Sequence, residues 1–97
     1  MIFVYKNWEK FCKLLDKENK HSITADNVLK SNPEKGYVVL KHDVETNVQK
    51  AYELAKIESK YKQFGTYYVQ AYLLQDEKNI ALLSGMQAMG HEVSYHY

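Results

Sequence analysis

Three short runs rich in β-branched and aromatic residues punctuate this chain: YVVLKHDVE (37–45), GTYYVQAY (65–72) and HEVSYHY (91–97). Each has the length of one strand, and the segments between them carry apolar residues at three- and four-residue intervals. Strand, helix, strand, helix, strand, with crossovers of roughly 15–20 residues, predicts a parallel sheet with right-handed connections. The expected fold class is therefore α/β, built on a parallel βαβαβ unit.

The intervening segments can be read in more detail. After the first run, Thr46 is the expected N-cap, with Val48, Ala51, Tyr52 and Ala55 as the buried stripe. Glu53, Lys56, Lys60 and Lys62 then face water. After the second run, Ile80, Leu83, Met86 and Met89 mark a further helix, and Gly90 suits its C-terminal cap. Ahead of the sheet, Asn7 reads as the cap of an N-terminal helix whose apolar stripe is Trp8, Phe11, Leu14 and Leu15. That helix fades in DKENK, and a loop follows with a short turn at 25–29, closed by Asn32-Pro33 and Gly36. Residues 1–36 thus form an N-terminal helix and loop, and 37–97 the βα portion.

Composition narrows the function classes. With 97 residues, 45% hydrophobic and 26% charged, the chain suits one globular domain rather than a disordered segment. A net charge of +1 gives no basic excess for nucleic acid. No apolar stretch approaches the ~18 residues that a membrane span requires, and MIFVYKNWEK lacks the order of a signal peptide. A cytoplasmic location is the default expectation. Cys12, the lone cysteine, falls on the apolar side of the first helix and reads as a small buried hydrophobe.

Sites in βα folds form at the carboxyl ends of strands, which makes KHDVET the first place to look. Alternation sends Asp43 and Glu45 to one face of the strand and His42 and Val44 to the other. Two carboxylates so placed suit a divalent metal, or a ligand beside a general base. Equally, Glu45 can favour a helix N-terminus electrostatically, with Asp43 a polar strand end. In the third run Glu92, Ser94 and His96 share one face, and Val93, Tyr95 and Tyr97 the other. His96, at a strand end, is a satisfied structural residue or a ligand that meets the carboxylates. His91 follows the cap glycine and suits a hydrogen bond to a neighbouring loop, while His21 belongs to the surface.

The segments VVLKHDVET, GTYYV and LLSGMQAMGHEVSYHY, in that order, resemble the polysaccharide deacetylase family, carbohydrate esterases of the NodB-homology type. The nearest branch has a first motif reading His-Asp-Val-Asp. The resemblance covers residues 37–97 and implies the first three strands of a distorted (β/α) barrel. It implies a divalent metal, usually zinc, that polarises an N-acetyl carbonyl and acidifies a bound water. Carried over, Asp43 is the catalytic base, Glu45 stands at the metal-binding carboxylate and His96 at the first metal histidine. His42 and His91 become supporting residues of the same motifs. Glu45 is one methylene longer than the family's aspartate, and the second metal histidine would fall four positions beyond His96. The chain accordingly reads as the N-terminal part of a metal-dependent deacetylase, inactive alone, with the zinc belonging to a fuller site.

Two other readings stand beside this one. A non-catalytic module of the same fold would bind carbohydrate through Tyr67, Tyr95 and Tyr97, with Tyr68 and Tyr72 available as well. A small three-stranded α/β interaction domain is the third, and its open sheet edges invite self-association.

Overall fold

The computed structural model describes residues 2–28 and 38–96, with the backbone alone for 2–4 and 96. Its elements are α1 (Ile2–Lys17), α2 (Ala25–Val28), β1 (Leu40–Val44), α3 (Val48–Lys60), β2 (Gly65–Gln70), a 3-10 turn (Ala71–Gln75), α4 (Glu77–Ala88) and β3 (Glu92–His96). The three strands form one parallel sheet in the order β1-β2-β3. The alternation of strand and helix read from the sequence is therefore present, as an α/β unit with a parallel three-stranded sheet.

Both crossover helices pack on one face of that sheet. A single apolar cluster joins Val44, Tyr67 and Val69 from the strands with Val48, Ala51 and Ala55 of α3 and Leu83 and Met86 of α4. Strand order rising steadily with both crossover helices on one side is the arrangement in which a sheet can curl toward closure. The opposite face carries Asp43, Thr66, Tyr68, Gln70, Glu92 and Ser94 by alternation. Its lower end is covered by the α2 segment. There Thr66 Oγ1 accepts from the Ala25 amide at 2.8 Å, and Glu92 Oε1 accepts from the Asp26 amide at 2.8 Å.

Local chemistry explains the boundaries. α3 is capped by Asn47, whose side chain accepts from the Lys50 amide at 3.0 Å, and not by Thr46. α4 starts on Asp76, which accepts from Lys78 N–H. It ends as expected at Gly90, which has a φ of 102°. The amide of Gly90 bonds Gln87 O and that of His91 bonds Met86 O, the paired closure that a left-handed residue permits.

The N-terminal helix departs from the sequence reading. It begins at Ile2, so Asn7 is an interior residue and not a cap. Its buried stripe runs through Cys12 and Leu15, with Trp8 partly buried, whereas Phe11 and Leu14 are 41% and 52% exposed. The helix docks on α3, and Glu9 joins it to Lys60 Nζ and Tyr61 Oη, each at 3.2 Å. Ile80 of α4 is likewise exposed, leaving Leu83 and Met86 as that helix's core contacts. The first strand, expected over 37–45, is confined to Leu40–Val44, and only Leu40 and Val44 in it are buried. The loop punctuation at Asn32-Pro33 and Gly36 lies outside the described residues. No helix among those described is long and apolar enough to cross a membrane.

Candidate functional site

Asp43 and Glu45 sit where the sequence placed them, at the carboxyl end of β1. Both are exposed. They line a pocket of about 470 Å³ together with Lys41, Thr46, Asn47 and Lys50. The register adds a third position. Asp43 is level with Tyr68 and Ser94, and the next row up is Gln70 and His96. β1 ends at Val44, level with Val69 and Tyr95, and Glu45 follows in the bend beyond it, so Glu45 and His96 both lie at the carboxyl edge of the sheet. Tyr72, in the 3-10 turn after β2, donates its hydroxyl to the Glu45 carbonyl oxygen and ties the two neighbouring loops together.

Carboxylates such as these are residue types that can bind a divalent metal. Among the described residues no group of three His, Cys, Asp or Glu side chains could hold a metal ion, and the His96 side chain is not among them. Of the two residues expected at the metal, Glu45 is described with its side chain and His96 by its backbone alone.

The remaining sequence candidates separate by face. His42 lies on the helix side, as alternation required. Tyr67 is on that side too, with no exposed surface, so the expectation that it contacts substrate fails. Tyr95 is 39% exposed and level with Val44 and Val69, on the face turned away from Asp43. Tyr97 lies outside the described residues. Tyr68, level with Asp43 and on its face, and Tyr72 are the tyrosines that remain near the strand end.

The structure also contains a second, unanticipated polar centre. Glu58 of α3 is fully buried under the sheet. Its Oε2 is 3.0 Å from Trp8 Nε1 and 2.6 Å from His42 Nε2, and its Oε1 accepts from Tyr67 Oη at 2.7 Å. The indole is only a donor, and an ionised carboxylate only accepts, so His42 meets it with a proton on Nε2. His42 is itself stacked on Tyr67 at 4.6 Å and edged by Trp8 at 5.2 Å. Burial, and then the Glu58 charge, push the Tyr67 phenol far above its ordinary range. The same two causes push the Cys12 thiol up to about 12, which fits a buried hydrophobe rather than a nucleophile.

His91 borders this centre and is structural, as the sequence suggested. Its Nδ1 accepts from the Gly65 amide at 2.9 Å, which leaves the proton on Nε2, 2.9 Å from the Ala55 carbonyl. A neutral ring results, and burial holds its pKa below the usual histidine value. The 3.6 Å approach of Nδ1 to Glu58 Oε1 is therefore a contact between two acceptors rather than an ion pair. His21 is on the surface, where it meets Asp16 at 3.0 Å.

Sequence reasoning missed Glu58, although its signal was present. Ala51, Ala55 and Glu58 are spaced four and three residues apart, which puts the glutamate on the buried stripe of α3. Comparison with known proteins adds no assignment: no family model, curated protein or solved structure matches the chain.

Proposed function

We propose that this chain carries the first three βα units of a metal-dependent deacetylase-like hydrolase, acting on the N-acetyl amide of a carbohydrate or related substrate. The observation that supports it best is the pair of exposed carboxylates at the carboxyl end of β1. They line a pocket of about 470 Å³ on a rising β1-β2-β3 sheet, with His96 level with Gln70, one residue beyond the row of Val44 and Val69. Exposed carboxylates are ordinary on a protein surface; what supports the reading is their position at the strand end where βα folds place their chemistry.

In this reading Glu45 and His96 hold a divalent metal, most simply zinc. When bound, it polarises the acetyl carbonyl and lowers the pKa of the attacking water. Asp43, one row below on the same face, accepts the proton from that water. Tyr72 fixes the backbone of Glu45 through its carbonyl. The groups that complete the coordination shell and protonate the departing amine belong to further βα units.

Zinc titration by calorimetry tests the constellation, with Asp43→Ala, Glu45→Ala and His96→Ala compared with the parent chain. Glu45→Ala and His96→Ala should each weaken binding at least tenfold, and Asp43→Ala less. Unchanged affinity in all three would sink the proposal.

A further inference from the structure

His42 is built into the buried centre through one ring nitrogen only. Its Nε2 proton goes to Glu58 Oε2 at 2.6 Å, and Glu58 has no exposed surface. The His42 side chain is nonetheless 17% exposed, and the residue lines the pocket of about 470 Å³ together with Asp43 and Glu45. Among the described residues every buried side-chain nitrogen and oxygen has a hydrogen-bond partner. Nδ1 of His42 has none there, so it is the ring nitrogen that solvent reaches. With Nε2 protonated, a neutral ring carries its lone pair on that same Nδ1.

The ring is also held in place from its sides. Tyr67 stacks on it at 4.6 Å and Trp8 meets it edge-on at 5.2 Å, and both of those side chains are themselves bonded to Glu58. An imidazole that gives one N–H to a fixed carboxylate has its tautomer set and its other nitrogen made more basic. The carboxylate also stabilises the imidazolium that forms when that nitrogen takes a proton. A histidine kept for packing alone can spend both nitrogens on backbone groups. His91 does so in this same fold, on the Gly65 amide and the Ala55 carbonyl.

We propose that Nδ1 of His42 is a second proton acceptor of this pocket, with Glu58 as its positioning residue. The ligand it takes is a water or a neutral molecule that presents a hydroxyl to Nδ1. When the proton moves, the O–H bond breaks, an N–H bond forms at Nδ1, and the imidazolium keeps its Nε2 proton against the Glu58 carboxylate. Glu58 touches no ligand and acts only through His42. The assignment goes beyond the metal reading and does not depend on it.

The test uses the 97-residue chain, free of metal, with diethyl pyrocarbonate, which acylates an imidazole nitrogen that bears an accessible lone pair. Peptide mass spectrometry follows each histidine at constant pH, and nitrogen NMR reads the His42 tautomer. In the parent chain His42 should carry its proton on Nε2 and should acylate, while His91, with both nitrogens bonded, should not. Glu58→Gln keeps an acceptor of the same shape and removes the charge. It should slow acylation of His42 by about tenfold, the size of losing an orienting carboxylate, and leave exposed His21 unchanged. A urea midpoint for the variant checks that it is folded. A His42 proton on Nδ1, or a His42 as inert as His91, overturns the proton acceptor, and neither result needs a variant. An unchanged His42 rate in folded Glu58→Gln overturns the positioning role of Glu58.

Discussion

Asp43 and Glu58 are carboxylates on opposite sides of one sheet, and their surroundings differ in every respect. Asp43 is exposed at a strand end, on the face without crossover helices. Glu58 has no exposed surface and receives Trp8, His42 and Tyr67 at 2.6–3.0 Å. An acid whose oxygens are all engaged by donors has nothing left for a substrate, and moving it would strand those donors. An acid left in water is free to bind or to exchange a proton. The comparison teaches that the buried cluster around Glu58 is architecture, and that Asp43 is the acid left free for the proposed chemistry.

The sharpest way to break that comparison is to remove each acid in turn. Glu58→Ala leaves the indole N–H, the Tyr67 hydroxyl and His42 buried around a void. A loss of about 3–5 kcal/mol is expected, the range for stripping one partner from a buried charged cluster. Asp43→Ala should change stability by no more than about 0.5 kcal/mol, as exposed sites do. Urea denaturation of the two variants beside the parent decides it. Comparable losses in the two would mean that Asp43 is as structural as Glu58, and the functional reading would lose its main support.

Gly65 gives a smaller and more local test of the same buried centre. A Cβ there would press into Glu58 Oε1 and come within 3.0 Å of Tyr67 Cε2. The first residue of β2 is thus glycine because the carboxylate passes directly over the backbone. Gly65→Ala should cost about 1–3 kcal/mol by displacing the Glu58 head from its donors. The Trp8 fluorescence should shift along with it, since the indole is one of those donors. A stable variant with unaltered emission would show that the centre has room to adjust.

How far the sequence carried this picture depends on the range of the interactions involved. Element order, the Gly90 cap and the faces of His42, Asp43 and Val44 follow from local periodicity and were legible. The choice of Asn47 over Thr46 as cap was not, because both side chains can cap and only the backbone path selects one. In α1 Cys12 and Leu15 are buried as read, but Phe11 and Leu14, read into the same stripe, face out. That phase is set by the docking of Trp8 on Glu58, a contact across 50 positions that no local pattern announces. Tyr67 was misassigned for the same reason. The tyrosine-rich composition suggested a sugar contact, and only the sheet register, which pairs Tyr67 with His42, shows the ring under α3.

The smallest expected effect is a pH dependence, and it too should belong to the buried side. His91 is neutral in the fold, with its pKa lowered chiefly by burial and further by His42, against the raising influence of Glu58 and the Ala55 carbonyl. Protonation would also set a second N–H against the Gly65 amide that Nδ1 now accepts. The unfolded chain, with an ordinary histidine pKa of about 6.5, therefore binds a proton that the folded one refuses. Stability from this group is complete above that pH and is lost as pH falls through it toward the lower folded value. Urea midpoints between pH 7.5 and 5.5 should decline in the parent chain and decline less steeply in His91→Gln, whose amide can span the same two backbone groups without titrating. Parallel declines would assign the sensitivity to other groups and remove His91 from the argument.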